Sequence, residues 1–205
     1  MLFDNSYNQL KKPSTGIYKE KGSKFISYAF IVKDKNEINY YLNQVKKKEH
    51  GARHFCYAYI LNPDKSVIKV NDDGEPSSTA GRPILGQINS NNLTNTLIIV
   101  VRYFGGIKLG ISGLIRSYKN AAYNSIKNNK IISLEIKEIY TVKYNYNDID
   151  FIMKNIKKYD AKIISQENNI NSEITYSISI NKADILKKIF LDNHKINVEF
   201  IKIIK

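Results

Sequence analysis

The stretch from Leu97 to Ala122 constrains the fold more than any other part of the chain. It begins with a continuous apolar run, LIIVV, whose length and β-branched content predict a strand buried on both faces. Four of the ten glycines then fall within nine residues, at Gly105, Gly106, Gly110 and Gly113. From there apolar residues recur with helical spacing, at Ile111, Leu114, Ile115, Tyr118, Ala122 and Ile126. The stretch therefore predicts a buried strand, a glycine-rich turn and a helix with this stripe as its apolar face.

The glycine-rich turn is a candidate phosphate-binding site. A buried strand that enters a helix through such a turn can bring backbone N–H groups, here those near Ser112, together around an anion. Positive side chains surround the turn at Arg102, Lys108, Arg116 and Lys119. The alternative interpretation is that the glycines only let the strand turn closely onto the helix. Because no Walker or Gly-x-Gly-x-x-Gly sequence is present, nucleotide hydrolysis and dinucleotide binding have little support, and no cofactor is expected.

The positive charge of the chain is concentrated in its N-terminal part. The formal net charge of the 205 residues is +13. Residues 1–130 contain 20 Lys and Arg against 9 Asp and Glu, whereas residues 131–205 contain 12 against 10. This asymmetry predicts a basic surface that faces a polyanion such as RNA, although a general drift of the composition towards Lys, Asn and Ile would also raise the charge.

The sequence disfavours several classes of protein. No apolar run is long enough to span a bilayer, and the first residues lack the basic start and apolar core of a secretory signal. Cys56 is the single cysteine, which excludes an intramolecular disulfide and a cysteine-based zinc cluster. Because it lies in an apolar run, its thiol is expected to be buried and inert. We expect a cytoplasmic protein with no membrane partner and no bound metal.

The remaining pattern predicts an α+β fold with two domains. In the N-terminal part, an irregular lead-in at 1–13 precedes strands predicted at 17–19, 25–32, 54–61 and 67–70. A helix follows the capping box formed by Asp34 and Glu37, and a short helix is predicted at 84–88. The C-terminal part has strands predicted at 136–146, 162–165, 174–180 and 196–204, with helices capped by Asp148 and Asn181. This β-α-β-β-α-β order is typical of a ferredoxin-like domain, and we place the two domains at 1–133 and 134–205.

Linked motifs give the chain a family resemblance. Residues 71–83 form the loop NDDGEPSSTAGRP, residues 100–110 are VVRYFGGIKLG, and residues 112–118 are SGLIRSY. With the segments KFI at 24–26 and HFCYAY at 54–59, they resemble the IMPACT/YigZ family over about residues 20–122. Ser78 and Ser112 stand where glycine or alanine is usual in that family.

The resemblance implies a fold and a broad function. It implies an N-terminal domain like domain IV of elongation factor G and its ribosomal-protein-like βαβ relatives, followed by a bacterial-type ferredoxin-like domain. The eukaryotic branch of the family is tied to control of translation under amino-acid starvation, acting through protein partners. The bacterial branch has no agreed biochemical activity, so the resemblance implies the fold more firmly than the function.

Arg102 indicates a role for the polar loop. The charge of Arg102, at the end of a predicted buried strand, needs a partner, and Asp72, Asp73 or Glu75 could supply it as a structural clasp. The same three acids with His54 could instead form an acid/base or metal group, but their convergence is not visible in the sequence. A histidine in an apolar strand is more often a satisfied sheet residue than a ligand.

Three hypotheses about function follow. The first is a regulator of translation that binds RNA or the ribosome, with Tyr103 or Phe104 stacking on a base and the other ring facing the core. Its phosphate contacts would come from Arg53, Arg82, Arg102, Lys108, Arg116 and Lys119. The second is an enzyme acting on a small phosphorylated or peptidic substrate through the acidic loop and His54. The third is a protein-interaction module without intrinsic activity.

Overall fold

The chain forms a mixed α+β structure with two compact units. The computed structural model describes residues 5–167 and 172–204, in which five α-helices and three sheets are found. One unit comprises residues 7–134, and the other comprises residues 135–204 with residues 5 and 6. Within the described ranges, none of the helices has the length and apolar character needed to cross a membrane.

The N-terminal unit is built on a five-stranded sheet in which all neighbouring strands are antiparallel, in the order β2-β3-β6-β4-β5. Its strands are β2 (Ser14–Glu20), β3 (Ser23–Ile31), β4 (His54–Leu61), β5 (Val67–Asn71) and β6 (Thr96–Tyr103). Its helices are α1 (Lys35–Lys48), α2 (Gly81–Ser90) and α3 (Gly110–Lys127). A separate two-stranded sheet pairs β1 (Ser6–Leu10) with β7 (Ile131–Glu135).

Strand β6 lies at the centre of this sheet, as its continuous apolar run predicts. Every residue from Thr96 to Arg102 is buried, because side chains alternate between two cores on opposite faces. Ile98 and Val100 pack in the core that contains residues of α2 and α3, whereas Ile99 and Val101 pack in the core that contains residues of α1. The end of β6 therefore lies between both layers of helices.

Helix α1 begins where the capping box predicts, with a small difference in geometry. The Asp34 side chain accepts hydrogen bonds from the N–H groups of Asn36 and Glu37. The Glu37 carboxylate accepts from Lys33 N–H, one residue before the cap. The three lysines Lys46–Lys48 occupy the last turn, where the helix dipole favours positive charge.

Helix α3 lies along β2, which forms one edge of the sheet. The side-chain amides of three asparagines donate hydrogen bonds to backbone carbonyl oxygens in or near this strand: Asn124 to Ile17, Asn128 to Thr15 and Asn129 to Lys12. The helix is therefore attached to the edge strand by polar side chains as well as by its apolar face.

The predicted lead-in at 1–13 is wrong for residues 6–10, which form β1. The predicted strand at 136–146 is also wrong in its extent, because β7 ends at Glu135 and a new strand, β8, begins at Lys137. Of β1, only Tyr7 and Leu10 are buried, so the strand lacks a strong apolar pattern and depends on a partner far along the chain. Residues 1–4 lie outside the described residues.

The C-terminal unit has the element order β-α-β-β-α-β. It contains β8 (Lys137–Tyr144), α4 (Ile149–Lys158), β9 (Lys162–Glu167), β10 (Ser172–Ser179), α5 (Ile180–Leu191) and β11 (Asn197–Ile204). The four strands are antiparallel neighbours in the order β11-β8-β10-β9. Asp148 stands at the N-cap of α4 without a side-chain cap bond, and the predicted cap at Asn181 is wrong because Ser179 precedes the first helical residue.

The glycine-rich turn is shaped by a close approach between two backbone segments. A Cβ atom added at Gly105 would lie 1.9 Å from the backbone carbon of Gly22, in the turn between β2 and β3. Gly106 and Gly110 have positive φ angles of 87° and 69°, which favour glycine. At Gly105, the interpretation that glycine permits close packing therefore accounts for the residue.

We expect Gly105→Ala to destabilise the N-terminal unit by at least about 2 kcal/mol, because backbone rather than a flexible side chain occupies the space of the added Cβ. Gly86→Ala in α2 is the matched control, since nothing lies within 4 Å of its added Cβ. That control should stabilise the helix by up to about 1 kcal/mol. Urea unfolding followed by circular dichroism measures both, and equal stabilities for the two variants would contradict the packing argument.

Candidate anion-binding site at the end of the central strand

Arg102 at the end of β6 is buried in an ion pair with the acidic loop. Its Nη1 donates to Glu75 Oε1 at 2.6 Å, and only 9% and 4% of the two side chains are exposed. The same Glu75 oxygen accepts a hydrogen bond from the Tyr118 hydroxyl at 2.9 Å. The guanidinium carbon lies 5.6 Å from the centre of the Phe25 ring and 5.5 Å from that of Phe104. Of the three acidic residues considered as partners of Arg102, Glu75 is the one that pairs with it.

Cys56 extends this buried network and is not positioned as a nucleophile. Its Sγ lies 3.3 Å from the Tyr118 hydroxyl and 3.0 Å from the backbone oxygen of Asp72. Burial raises the pKa of the Cys56 thiol, and burial likewise raises the pKa of the Tyr118 phenol. Both groups therefore remain protonated at neutral pH and serve as hydrogen-bond donors.

Asp72 organises the loop between β5 and α2. Its carboxylate accepts backbone hydrogen bonds from Ser78, Ala80 and Gly81, at 2.9, 3.0 and 2.8 Å. Desolvation opposes ionisation of this carboxyl, but the three backbone donors and the nearby charge of Arg82 outweigh it and lower its pKa. The Asp72 carboxylate therefore fixes the position of the backbone at the start of α2.

We expect Asp72→Asn to lower the stability of the N-terminal unit by at least about 1 kcal/mol at pH 7, because it removes the charge and replaces one of the two accepting oxygens by an NH2 group that cannot accept. A lowered folded-state pKa adds stability above the unfolded-state pKa, near pH 4, and this stability is lost as pH falls through the folded-state value. The gap between the melting temperatures of the two proteins should therefore narrow towards pH 3. Asp184→Asn, on the exposed surface of α5, is the control. If the difference in melting temperature between the unaltered protein and Asp72→Asn is the same at pH 7 and pH 3, the role assigned to the Asp72 carboxylate is contradicted.

Asp73 and its backbone fix the orientation of His54. The Asp73 carboxylate accepts a hydrogen bond from Phe55 N–H at 2.7 Å. The Asp73 carbonyl oxygen lies 2.8 Å from His54 Nδ1, and because a carbonyl only accepts, Nδ1 carries the proton. The Nε2 atom of neutral His54 is consequently left as an acceptor. No described group of three or more His, Cys, Asp or Glu side chains is arranged to hold a metal ion.

Strand pairing places His54 opposite Arg102. The two residues are register partners in β4 and β6, and Phe25 of β3 is the partner of Arg102 on its other side. Residues directly opposite in antiparallel strands share a face of the sheet. His54, Arg102 and Phe25 thus form a row across three strands at one end of the sheet.

A cavity of about 300 Å³ opens at this end of the sheet. It is lined by Gly51, Arg53, His54, Arg102, Tyr103 and Phe104. All of these except Gly51 are candidate site residues in the sequence analysis. The fold therefore brings together candidates from the start of the segment at 54–59 and from the segment at 100–110.

Tyr103 and Phe104 have different environments, as their alternation predicts. Tyr103 is half-buried against the core that contains residues of α1, and its hydroxyl donates to Glu49 at 2.7 Å. Tyr28 also donates to Glu49. Desolvation opposes ionisation of the Glu49 carboxyl, but these two hydrogen bonds together with the charges of Lys48 and Lys24 outweigh it and lower its pKa. Phe104 is 59% exposed and is the ring that solvent and a ligand can reach.

The other residues predicted to contact phosphate do not line the cavity. Lys108 is exposed in the turn, Ser112 is exposed in the first turn of α3, and Lys119 is exposed two turns further along. Arg116 is paired with Glu20 at 2.9 Å, and Arg82 is exposed at the start of α2. The N-cap of α3, Leu109, provides no side-chain hydrogen bond to the first N–H groups.

The predicted apolar stripe of α3 is only partly buried. Leu114, Tyr118, Ala122 and Ile126 are in the core, but Ile111 and Ile115 are 65% and 39% exposed. Adjacent helical residues such as Leu114 and Ile115 point about 100° apart, so only one of them faces the sheet. With exposed Phe104 and Ile107, these side chains form an apolar surface beside the glycine turn that the sequence analysis missed.

The fold and this site define a two-unit α+β protein whose basic N-terminal unit carries a glycine-rich turn and an arginine-lined cavity. A family model described as the Impact N-terminal domain matches residues 21–126. The chain belongs to the IMPACT family.

Relatives in bacteria and in a eukaryote show how far the similarity extends. The chain is 30% identical over 178 residues to the Bacillus subtilis IMPACT family member YvyE, covering 80% of this chain and 82% of that protein. It is 31% identical over 164 residues to an IMPACT family member of Haemophilus influenzae, covering 78% of each. The IMPACT homolog of Dictyostelium discoideum is 39% identical over 95 residues, 44% of this chain and 27% of that protein. A crystal structure of a hypothetical protein matches with a TM-score of 0.70 and 25% identity, covering 97% of this chain and 98% of the other.

We expect Glu75→Gln to destabilise the N-terminal unit by about 3 kcal/mol or more, because it leaves the Arg102 charge buried without a counter-charge. The double variant Glu75→Gln/Arg102→Leu should recover much of this loss, since the unpaired charge is then absent and the amide oxygen introduced at position 75 can still accept from Tyr118. Unfolding midpoints in urea test the pair as a double-mutant cycle. Additive losses would show that the two side chains are not coupled.

Proposed function

We propose that this protein is a cytoplasmic, translation-associated regulator whose N-terminal unit binds the phosphate backbone of RNA or of the ribosome. The observation that carries the proposal is the exposed turn from Phe104 to Lys108, in which an accessible aromatic ring lies beside a cation and the uncapped N-terminus of α3. A ring on which a base can stack, next to positive charge, is the common design of surfaces that bind single-stranded nucleic acid.

The charge of the unit supports this proposal. No ion pair among the described residues involves Arg53, Arg82, Lys108 or Lys119, so these cations are available to a polyanion. Arg116 is exposed but shared with Glu20, and Arg102 is buried with Glu75. We therefore assign the general phosphate contacts to the four unpaired cations, with a lesser share for Arg116.

The family and the architecture support a link to translation. We infer that the N-terminal domain is similar to domain IV of elongation factor G and that the C-terminal domain is ferredoxin-like, with a boundary close to residue 134. The inference on the C-terminal domain is supported by its β-α-β-β-α-β order and by the strand order β11-β8-β10-β9. Domains that resemble those of a translation factor are suited to sites on the ribosome.

We expect the double charge reversal Lys108→Glu/Lys119→Glu to weaken RNA binding and to reduce the dependence of log K on log salt by about 2. Fluorescence anisotropy with a short structured RNA over a salt series measures this slope. The matched control is Lys154→Glu/Lys157→Glu on α4 of the C-terminal unit, which changes the net charge equally. If both double variants lower the slope equally, RNA binding depends on net charge and not on the turn.

The apolar surface beside the turn favours a second candidate function, a protein-interaction module. Phe104, Ile107, Ile111 and Ile115 place four exposed apolar side chains within twelve residues. Such clustering is unusual on a surface that contacts only water. RNA binding that is absent even at low salt would leave this second function as the better account of the surface.

A further inference from the structure

The cavity at the end of the central strand has the composition of an anion-binding site. Its described lining contains two arginines and a histidine and no carboxylate. Glu75, the acid that pairs with Arg102, also accepts a hydrogen bond from Tyr118. The charge of Arg53 is therefore not neutralised within the cavity, and a negatively charged ligand would be attracted to it.

The Arg102 side chain is fixed in position, and part of its guanidinium group forms no hydrogen bond within the described protein. Its guanidinium carbon lies within 5.6 Å of the centres of both the Phe25 and the Phe104 rings, and its contact with Glu75 uses Nη1. Its Nε is buried and has no hydrogen-bond partner among the described residues. A buried donor without a partner is costly, and arginine normally uses its planar set of N–H groups to grip an anion at two points. The side chain, more than nine-tenths buried, lines the cavity.

His54 adds a group that distinguishes between anions. Its Nδ1–H is bound to the Asp73 carbonyl oxygen, so neutral His54 offers Nε2 as an acceptor and protonated His54 offers Nε2–H as a donor. Gly74, with a positive φ of 84°, passes close to the ring, at 3.5 Å from Nδ1 to an added Cβ. The backbone of Asp73 and Gly74 thus fixes the His54 ring, which also lines the cavity.

We propose that this cavity binds the phosphate group of a phosphate monoester. Arg53 supplies charge, Arg102 supplies N–H donors, and His54 shares one proton with the ligand. A monoester has a second pKa near 6, so it carries either an O–H that neutral His54 can accept from or a dianion that protonated His54 can donate to. A phosphodiester is a monoanion with no second proton, so it cannot donate to neutral His54, and it offers less negative charge than a monoester dianion to Arg53, Arg102 and protonated His54. The cavity therefore prefers a terminal phosphate to one within a chain.

The exposed face of Phe104 extends the site beyond the phosphate. A cavity of about 300 Å³ is at the small end of ligand pockets, which suits a phosphate with one attached group. Two sources share this chemistry, a free mononucleotide and the 5′-phosphate end of an RNA. The inference does not depend on RNA binding at the turn, because Lys108 and Lys119 do not line the cavity; of the four cations assigned to RNA, Arg53 alone does.

Isothermal titration calorimetry of the full chain at pH 7 tests the proposal with a matched set of ligands. Adenosine 5′-monophosphate and inorganic phosphate should bind, whereas adenosine and the diester adenosine 3′,5′-cyclic monophosphate should bind about tenfold more weakly or not at all. Two RNA oligonucleotides of one sequence, with a 5′-phosphate or a 5′-hydroxyl, identify the source. A higher affinity for the 5′-phosphorylated RNA indicates that the ligand is an RNA end. Equal affinities for the two RNAs, together with binding of the mononucleotide, indicate that the ligand is a small molecule.

Two substitutions locate the ligand. Arg53→Gln removes an exposed, unpaired charge, and His54→Asn keeps a donor near the Asp73 carbonyl oxygen but removes Nε2. Each should weaken binding of the mononucleotide about tenfold. Lys127→Gln and His194→Asn, exposed and outside the cavity, are the controls and should leave it unchanged. Melting temperatures without ligand check that each variant is folded. If His54→Asn does not fold, Arg53→Gln still tests the proposal.

Three results would overturn the proposal. They are no binding of any phosphate at millimolar concentration, equal affinity for the monoester and the cyclic diester, and binding that neither Arg53→Gln nor His54→Asn affects. The RNA experiment with Lys108→Glu/Lys119→Glu is read separately. If the unaltered protein binds the mononucleotide but no RNA even at low salt, the proposed function is refuted and the cavity is not. If it binds RNA without regard to a 5′-phosphate and binds no mononucleotide, the cavity is refuted and the proposed function is not.

Discussion

The N-terminal unit depends on a charge buried at the end of its central strand. Strand β6 is apolar and buried until Arg102, where a cation replaces the next core residue. Burying that cation requires a counter-charge, and Glu75 can provide it only if the loop after β5 folds back over the sheet. The hydrogen bonds of Asp72 and Asp73 to the backbone hold the loop in that position. The loop, the central strand and Tyr118 of α3 are therefore parts of one arrangement.

The same arrangement keeps the acids of the loop apart from the lining of the cavity. Each carboxylate offered for an acid/base or metal site accepts hydrogen bonds from the protein itself. This leaves Arg53 and Phe104 exposed at the end of the sheet, where His54 and Arg102 also line the cavity. The structure thus favours binding of an anion over chemistry by the acidic loop.

The elements with strong local patterns could be predicted from the sequence, and those that depend on distant partners could not. The run Leu97–Val101 and the capping residue Asp34 carry their own signals, so β6 and α1 appear where expected. Strand β1 has few apolar residues and pairs with β7 near the end of the unit, which no local pattern reveals. For the site, the need of Arg102 for an acidic partner was predictable from burial. The cavity was not, because it depends on the register that sets His54 opposite Arg102.

The asparagines at the end of α3 bear on a problem common to all open sheets. An edge strand such as β2 presents free backbone acceptors on which another strand can add, and this is a route to aggregation. The amides of Asn124 and Asn128 already occupy carbonyl oxygens of β2, and that of Asn129 occupies one just before it. Residues that look like compositional drift in the sequence therefore protect this edge against strand addition by a second copy of the chain.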